Sequence, residues 1–170
     1  KQSYGYDSQD RLISTEYPDG ELVTSDYNDQ ELPENLVGDD HYVKSTSYNE
    51  FGKMETVRYG CNIDTYYDYY DSSNERDRYA NAYYTYRLKR IQTSNSILDV
   101  EYCYDRVGNV ERRYNHMDNE AFSYHYDSLS RLTYTSQGER RDYYYDTIGN
   151  LVSKNGVSLQ YDGANPHAVT

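Results

Sequence analysis

Residues 143–151 read Tyr143-Tyr144-Tyr145-Asp146-Thr147-Ile148-Gly149-Asn150-Leu151, and a phrase of this form returns along the chain. Tyr-x-Tyr places two rings on one face of an extended strand, because side chains alternate with a period of two. The following aspartate accepts backbone N–H groups two residues on, and the glycine supplies the left-handed backbone that closes a hairpin. After the turn, Leu or Val alternates with polar residues, which predicts a second strand. One copy of the phrase is therefore predicted to be one β-hairpin.

Copies of this phrase recur about every twenty residues along the chain. Clear copies begin at Tyr4, Tyr102 and Tyr124, and degenerate copies lie at Tyr27-Asn28, at Tyr48-Asn49, at Tyr69-Tyr70-Asp71 and at Tyr84-Thr85-Tyr86. A partial copy begins at Tyr161-Asp162-Gly163. The residues that we assign to the structural repeat motif are Tyr4, Tyr6, Asp7, Tyr48, Gly52, Tyr84, Tyr86, Tyr102, Tyr104, Asp105, Gly108, Tyr124, Tyr126, Asp127, Tyr143, Tyr145, Asp146, Gly149, Tyr161 and Asp162.

Residues 1–170 are thus predicted to form one array of about eight hairpins plus a partial ninth, a segment of a larger chain. The fold class is all-β, with tandem antiparallel β-hairpins. An open twisted sheet rarely exceeds roughly ten strands without curling, splitting or flattening. Eight hairpins give about sixteen strands, so we expect the sheet to wind into a spiral sheet, a tube or a cocoon wall.

The composition agrees with this pattern once tyrosine is counted as a core residue. The chain has 25 Tyr, two Phe and no Trp among 170 residues, and its net charge is −12. Few aliphatic residues and a high net charge are typical of disordered chains. Each tyrosine, however, can bury roughly 150–250 Å² and keep its hydroxyl for a hydrogen bond. Disorder remains the alternative for residues 64–81, where tyrosine and aspartate alternate with little aliphatic content.

Several classes of protein and partner are disfavoured. No apolar run approaches the roughly 18 residues that span a bilayer. A sequence pI near 4.6 argues against nucleic acid as the primary partner, because phosphates would be repelled over most of the surface. Cys61 and Cys103 are too far apart for a CxxC motif, and the sequence leaves open whether they form a disulfide or are free thiols.

No cofactor site, metal site or catalytic site is predicted. The acidic run from Asp26 to Glu31 lacks the central glycine and the spaced glutamate of a calcium loop, so a solvated turn is favoured. Asp39 and Asp40 are adjacent and would face opposite sides of a strand, unlike a glycosidase pair. No ordered Ser, His and Asp constellation occurs, and we expect no enzyme. The four histidines lack metal-ligand spacing: His41, His116, His125 and His167.

The repeated phrase Tyr-x-Tyr-Asp-x-x-Gly-Asn/Arg-Leu resembles the YD repeat of the Rhs family. The segment from Tyr161 to Thr170, which contains Pro166-His167-Ala168-Val169, is similar to the Pro-His-Ala-Val segment that such proteins carry shortly before their Rhs core. The resemblance implies a large secreted or surface-exposed shell whose β-sheet spirals into a hollow cocoon. In Rhs toxins and toxin-complex shells the cavity encloses a C-terminal toxin, and in teneurins a similar barrel serves adhesion. Shell self-cleavage in these families uses acidic residues in the core segment that follows the region matched here.

Three functions are therefore weighed. The first is a structural shell segment that encloses and helps to deliver a toxin cargo, from an extracellular or cell-surface location. The second is a self-assembling extracellular tube or filament, because open strand edges accept further strands. The third is cell-surface adhesion or carbohydrate binding through exposed tyrosines. The expected partners are the rest of the parent chain, further copies of itself, an enclosed toxin domain or a glycan, and neither nucleic acid nor a membrane span is expected.

Overall fold

The structure, a computed structural model, describes residues 1–70, 86–163, 165 and 167–169. The chain divides into two units, whose described residues are 1–70 with 86–99, and 100–163 with 165 and 167–169. The regular elements of the described residues are all β-strands, and within each unit every strand pairs antiparallel with its neighbour along the chain. The prediction of an all-β chain of tandem antiparallel hairpins is confirmed.

Among the described residues, eight strands belong to the first unit and seven to the second, and the first strand of the second unit begins at the last residue of the first unit. Those of the first unit are β1 (Ser3–Tyr6), β2 (Leu12–Glu16), β3 (Leu22–Thr24), β4 (Leu36–Val37), β5 (His41–Tyr48), β6 (Met54–Tyr59), β7 (Asp64–Tyr69) and β8 (Leu88–Thr93). Those of the second are β9 (Asp99–Tyr104), β10 (Val110–Asn115), β11 (Glu120–Tyr126), β12 (Leu132–Gln137), β13 (Glu139–Tyr145), β14 (Leu151–Lys154) and β15 (Val157–Ser158).

Among the described strands, a β-bulge lies beside the turn of every hairpin whose first strand ends in a tyrosine. In β11–β12, His125 pairs with Tyr134 and Tyr126 pairs with Leu132, so Thr133 is the extra residue. A bulge interrupts the ladder of hydrogen bonds and increases the right-handed twist of the strand. The extra residues of the other such hairpins are Ile13, Glu55, Lys89, Glu111 and Val152.

Burial is spread thinly over the sheet instead of being gathered in a dense core. Among the described residues no side chain is fully buried, and the buried apolar side chains are Val23, Val57, Tyr70, Val100 and Cys103. Most of the strand tyrosines are half-buried. Each unit therefore depends on contacts between neighbouring strands more than on a central apolar cluster.

The hairpin β7–β8 contains residues from two copies of the phrase that we counted separately in the sequence. Tyr69 pairs with Leu88, so the phrases predicted around Tyr70 and Tyr86 belong to one hairpin. The backbone N–H of Tyr70 donates to Arg87 O, and that of Tyr86 donates to Tyr70 O, both at 2.9 Å. The short turns are closed by an equivalent pair of bonds; in the first hairpin, Asp7 N–H donates to Arg11 O and Asp10 N–H donates to Asp7 O. In β7–β8, residues 71–85 stand between Tyr70 and Tyr86. Residues 71–85, which include Tyr84 and most of the stretch for which disorder was the alternative, lie outside the described residues.

Candidate functional site: the contacts that join one repeat to the next

The aspartate of each clear hairpin turn holds the turn closed through both carboxylate oxygens. Asp127 Oδ1 accepts the backbone N–H groups of Leu129 at 2.9 Å and Arg131 at 3.0 Å, while Oδ2 accepts Arg131 Nε at 2.7 Å. The backbone N–H of Asp127 also donates to Arg131 O at 2.9 Å. Hydrogen bonds to an ionised carboxylate are roughly twice as strong as neutral ones, so the turn has one preferred geometry.

Other turns repeat this arrangement with two variations. At Asp105 and Asp146 the residue four positions on is asparagine, and its Nδ2 donates to the aspartate Oδ2 at 2.9 and 3.0 Å. In the degenerate copies, Asn28 and Asn49 accept the same pair of backbone N–H groups through the amide oxygen. Both asparagines belong to degenerate copies that the sequence pattern indicates, although we did not include them among the assigned motif residues.

The third residue after the aspartate or asparagine adopts a left-handed backbone. Glycine holds this position at Gly108 and Gly149, with φ of 104° and 95°. Asp10, Glu31 and Ser130 hold the equivalent position with φ of 60°, 62° and 58°. The left-handed backbone conformation costs a residue with a Cβ roughly 1–2 kcal/mol, and glycine avoids that cost.

A hydrogen bond from tyrosine joins each of several repeats to the one before it. The tyrosine directly before a turn donates its hydroxyl to a backbone carbonyl, at 2.5–3.0 Å. The acceptor is the first residue after the preceding turn, which in most of these hairpins lies beside the bulge, where the strand ladder is interrupted. We call this contact the inter-repeat hydrogen bond. Its pairs are Tyr27 with Leu12, Tyr48 with Pro33, Tyr69 with Met54, Tyr126 with Val110, and Tyr161 with Leu151.

A cation at the fourth position after the aspartate or asparagine covers the ring of the next repeat's tyrosine. Arg11 Cζ lies 4.5 Å from the ring centroid of Tyr27, and Arg131 Cζ lies 4.8 Å from that of Tyr145. The same two arginines form ion pairs with Asp7 and Asp127, both at 2.7 Å. A single guanidinium thus contacts the carboxylate of one repeat and the aromatic face of the next. Lys53 takes this position over Tyr69, with Nζ 5.1 Å from the centroid.

The first tyrosine of each Tyr-x-Tyr pair lies two residues further from the turn than the second, and both rings are on the same face of the strand. The bulge does not disturb this alternation, because its extra residue is in the partner strand.

Tyr84 lies outside the described residues, and Tyr86 takes the left-handed turn position with a φ of 48°. Gly52 takes the equivalent position in its turn, with a φ of 72°. The cross-strand partners are Thr15 for Tyr4, Leu12 for Tyr6, Arg113 for Tyr102, Val110 for Tyr104, Thr135 for Tyr124, Lys154 for Tyr143 and Leu151 for Tyr145.

The local environment shifts the pKa of both motif residue types. The backbone N–H and the guanidinium of Arg131 lower the pKa of Asp127. Burial would raise the pKa of Asp105, but hydrogen bonds from the side chain and backbone of Asn109 bring it below its usual value. Burial, helped by the charges of Tyr124 and Asp105, raises the pKa of Tyr126. The turn carboxylates therefore stay ionised at neutral pH, and the tyrosine hydroxyl keeps the proton that it donates.

The closing segment returns to the last turn through His167. The Nδ2 group of Asn150 donates to Asp146, so Asn150 Oδ1 is an acceptor, and His167 Nδ1 lies 2.7 Å from it. The ring nitrogen Nδ1 of His167 therefore carries a hydrogen. Asn150 is 8% exposed, which makes it one of the few buried polar side chains among the described residues. This hydrogen bond ties the segment that contains His167 to the turn of residues 146–150.

The other candidate groups from the sequence are dispersed. Within the described residues both cysteines are free thiols, with Cys61 exposed and Cys103 buried. No cluster of three or more metal-ligating side chains occurs in the part of the chain that the structure describes. The turn in the acidic run is organised by Asn28 as in the other repeats. The described residues also contain no helix long and apolar enough to cross a membrane.

Comparison with known proteins gives matches at the level of structure. No family profile and no curated protein matches the sequence. TcdB2-TccC3 without its hypervariable C-terminal region matches with a TM-score of 0.74 and 21% identity, over 99% of this chain and 10% of that one. The TcdB2-TccC3-Cdc42 structure matches with a TM-score of 0.71 and 22% identity, over 90% of this chain and 9% of that one. This chain therefore has the fold of the matched part of these TcdB2-TccC3 structures.

A Tc holotoxin pore of Photorhabdus luminescens with a TccC3 mutation gives the same result, with a TM-score of 0.71 and 22% identity over 90% of this chain and 9% of that one. The resemblance to YD-repeat proteins is thus confirmed at the level of the fold. The chain spans about a tenth of the length of these structures. In this chain the tyrosine and the aspartate of the repeated phrase have separate tasks. The aspartate closes its own turn, and the tyrosine binds the preceding repeat.

Proposed function

We propose that this chain is a structural, non-catalytic wall segment of an Rhs-type secreted or cell-surface shell, which encloses a toxin cargo and helps to deliver it. The observation that carries the proposal is the match over 99% of the chain to TcdB2-TccC3 without its hypervariable C-terminal region. The partners would be the rest of the parent chain and the enclosed toxin domain. The sheet would wind around that cargo.

The contacts between repeats support this role. A shell cannot depend on a central apolar core, because its interior is taken up by cargo. It needs a wall in which each strand pair is fixed to the next. The ladder, the inter-repeat hydrogen bond and the cation over the next tyrosine provide such a joint at successive hairpins, for example between Asp7, Arg11 and Tyr27.

Electron microscopy and limited proteolysis of the complete parent protein test the proposal. We expect discrete hollow particles, and a C-terminal domain that resists protease in the intact particle but is digested after the shell is opened with denaturant. The isolated C-terminal domain, digested under the same conditions, is the control. Digestion of that domain at equal rates inside and outside the particle would contradict encapsulation.

The same preparation separates the alternatives. Long regular fibres would support the self-assembling filament, in which open strand edges of successive copies pair. Specific binding on a glycan array by particles that enclose no cargo would support adhesion or carbohydrate binding. Neither outcome is expected from a wall segment whose tyrosines are engaged with neighbouring repeats.

A further inference from the structure

Two arginines of the second unit, Arg113 and Arg141, differ from most of the other arginines in their electrostatic partners. Within the described residues neither of them forms an ion pair or donates a hydrogen bond from its side chain. The chain has 29 acidic residues against 17 lysines and arginines, so this does not reflect a shortage of carboxylates. Ion pairs with an aspartate, at 2.6–2.9 Å, are formed by Arg11, Arg58, Arg90, Arg131 and Arg140.

Arg113 is held against an aromatic ring, with its charge partly withdrawn from water. It pairs on β10 with Phe122 of β11, and its Cζ lies 4.4 Å from the centroid of the Phe122 ring. The residue is half-buried, and its Nε is a buried atom without a hydrogen-bond partner in the part of the chain that the structure describes. The face of a ring attracts a cation but offers the N–H groups only a weak acceptor. Buried charges are normally paired, so this guanidinium is suited to an anion from outside its own hairpin.

Arg141 approaches the same ring from the other side of β11. It pairs with Thr135 of β12, which in turn pairs with Tyr124 of β11. Tyr124 and Phe122 are two residues apart on one strand and therefore share a face of the sheet, and the cross-strand pairs place both arginines on that face. Phe122 and Arg141 line one cavity. The two cations thus belong to a single surface around Phe122.

The cavity between Phe122 and Arg141 is small and mostly polar. Its other lining residues are Thr135, Gln137 and Glu139, and its volume is about 130 Å³. This volume corresponds to roughly four water molecules at about 30 Å³ each, which suits a carboxylate on a short side chain. The hydroxyl of Thr135 and the amide of Gln137 are further donors. Glu139, the carboxylate of this lining, disfavours a ligand that carries more than one negative charge.

We propose that Arg113 and Arg141 bind an aspartate or glutamate side chain of a partner polypeptide, on the face of the sheet around Phe122. The carboxylate would enter the cavity, accept hydrogen bonds from Arg141 and lie beside the outer N–H groups of Arg113. Guanidinium and carboxylate match each other through two parallel hydrogen bonds. A phosphate group carries a charge of about −1.5 to −2, so Glu139 repels it more strongly. The proposal concerns recognition at one surface and holds whether or not the parent protein is a toxin shell.

The ring of Phe122 also makes the surface ready for binding. A flexible arginine loses rotational freedom when it binds a ligand, and side chains of this kind cost roughly 0.5–1.5 kcal/mol to immobilise. The contact with Phe122 has already fixed Arg113, so this cost is met when the sheet folds. Arg141 is exposed and must still be ordered by the ligand.

Nuclear magnetic resonance titration of the full chain with acetyl-Gly-Glu-Gly-amide at pH 7 tests this site. The matched control is acetyl-Gly-Gln-Gly-amide, which has nearly the same shape without the charge. We expect saturable shifts at millimolar peptide in the amides of residues 112–114, 121–124, 134–137 and 139–142, and in the Nε–H signal of Arg113. They should be absent with the glutamine peptide and should weaken with added salt, because the interaction is between charges.

Three variants separate this site from the rest of the surface. Arg141→Gln removes an exposed cation and should weaken binding at least about tenfold, a change of about 1.4 kcal/mol. Arg106→Gln removes an exposed arginine from the 105–109 turn of the same unit and should leave the affinity within about twofold, or about 0.4 kcal/mol. Glu139→Gln removes the repelling carboxylate and should strengthen binding about threefold, or about 0.65 kcal/mol. The dispersion of the amide spectrum checks that each variant is folded.

Four results would overturn the proposal. The first is the absence of shifts at 10 mM glutamate peptide, taken here as roughly ten times the expected millimolar dissociation constant. The second is an equal response to the glutamine peptide. The third is an equal loss of affinity in Arg141→Gln and Arg106→Gln, which would show attraction to the charge of the unit as a whole. The fourth is tighter binding of inorganic phosphate or of glucuronate than of the glutamate peptide, which would assign the cavity to a different anion.

Discussion

Replacing Tyr126 with phenylalanine removes one hydroxyl and keeps the ring. In the native protein this hydroxyl donates to Val110 O at 2.9 Å in a partly buried position. A typical hydrogen bond contributes a net of about 1 kcal/mol to stability, and leaving a buried acceptor without a partner costs about 1–3 kcal/mol. Water can reach a partly buried carbonyl, so we expect the lower end of that range. The predicted loss in the free energy of unfolding is about 1–1.5 kcal/mol.

Urea unfolding, followed by tyrosine fluorescence and circular dichroism, measures this loss. With a slope of about 2 kcal/mol per molar urea, the midpoint should fall by roughly 0.5–0.75 M. The matched control is Tyr144→Phe, because the Tyr144 side chain is 58% exposed and its hydroxyl donates no hydrogen bond within the described residues. Its effect should stay within about 0.5 kcal/mol. Hydrogen exchange should also quicken at the amides around Val110 in Tyr126→Phe and stay unchanged in the control.

Two outcomes would refute this reasoning. If both variants lower the midpoint equally, the loss reflects a general effect of removing a tyrosine hydroxyl. If Tyr126→Phe leaves the midpoint unchanged, neighbouring repeats are held by the strand ladder and the ring contacts alone. In either case the inter-repeat hydrogen bond would not be a source of stability.

Three further predictions concern the turns and the titration of the motif. Asp105→Ala removes the acceptor of three backbone N–H groups and of the Asn109 amide. Thermal unfolding should therefore show a loss of about 1–2 kcal/mol in the free energy of unfolding. Asp105→Asn keeps an acceptor oxygen and should lose less. In Gly149→Ala the new Cβ would meet no atom within 4 Å, but the residue would have to keep a φ of 95°. The free energy of unfolding should fall by about 1–2 kcal/mol. An effect near zero would show that the turn relaxes. Burial raises the pKa of Tyr48, Tyr69 and Tyr126 above the ordinary value of 10.0, so their contribution is complete below about pH 10 and is lost as pH rises through the folded-state pKa. The pKa of Asp127 is lowered, chiefly by the backbone N–H of Arg131, so its contribution is complete above about pH 4 and is lost as pH falls through the folded-state pKa. Urea midpoints measured from pH 2 to pH 12 should therefore fall at both ends, and a constant midpoint above pH 10 would contradict the role of the hydroxyls.

The hairpins could be predicted from sequence wherever the phrase is complete. In the copy around Asp146, strand pattern, turn aspartate and left-handed glycine all favour the same local structure, and that structure forms. The contacts between repeats could not be predicted in the same way. The acceptor of the Tyr126 hydroxyl lies 16 residues earlier, and its position depends on a bulge that the sequence pattern does not specify.

The region from Tyr69 to Tyr86 shows the limit of pattern reading. Two tyrosine pairs stand there at a spacing that resembles two repeats, and we counted two hairpins. Strand pairing places Tyr69 opposite Leu88, so the described residues of both copies lie in one hairpin, β7–β8. The sequence pattern alone does not predict this pairing, because it depends on which strands lie side by side. The cation over the next tyrosine was likewise missed, since Arg11 and Tyr27 are far apart in the sequence.

The closure of β7–β8 by Tyr70 and Tyr86 has a consequence for how such a chain can change. Fifteen residues stand between Tyr70 and Tyr86, whereas two residues stand between the closing residues of the short turns. The flanking strands β7 and β8 nevertheless pair with the same single bulge as the short hairpins. Lengthening a loop by that factor costs about 1.8 kcal/mol in closure entropy. The closing pair Tyr70 and Tyr86 thus marks a splice point, at which evolution or an engineer can change the length of sequence between two strands while the order of the strands stays the same.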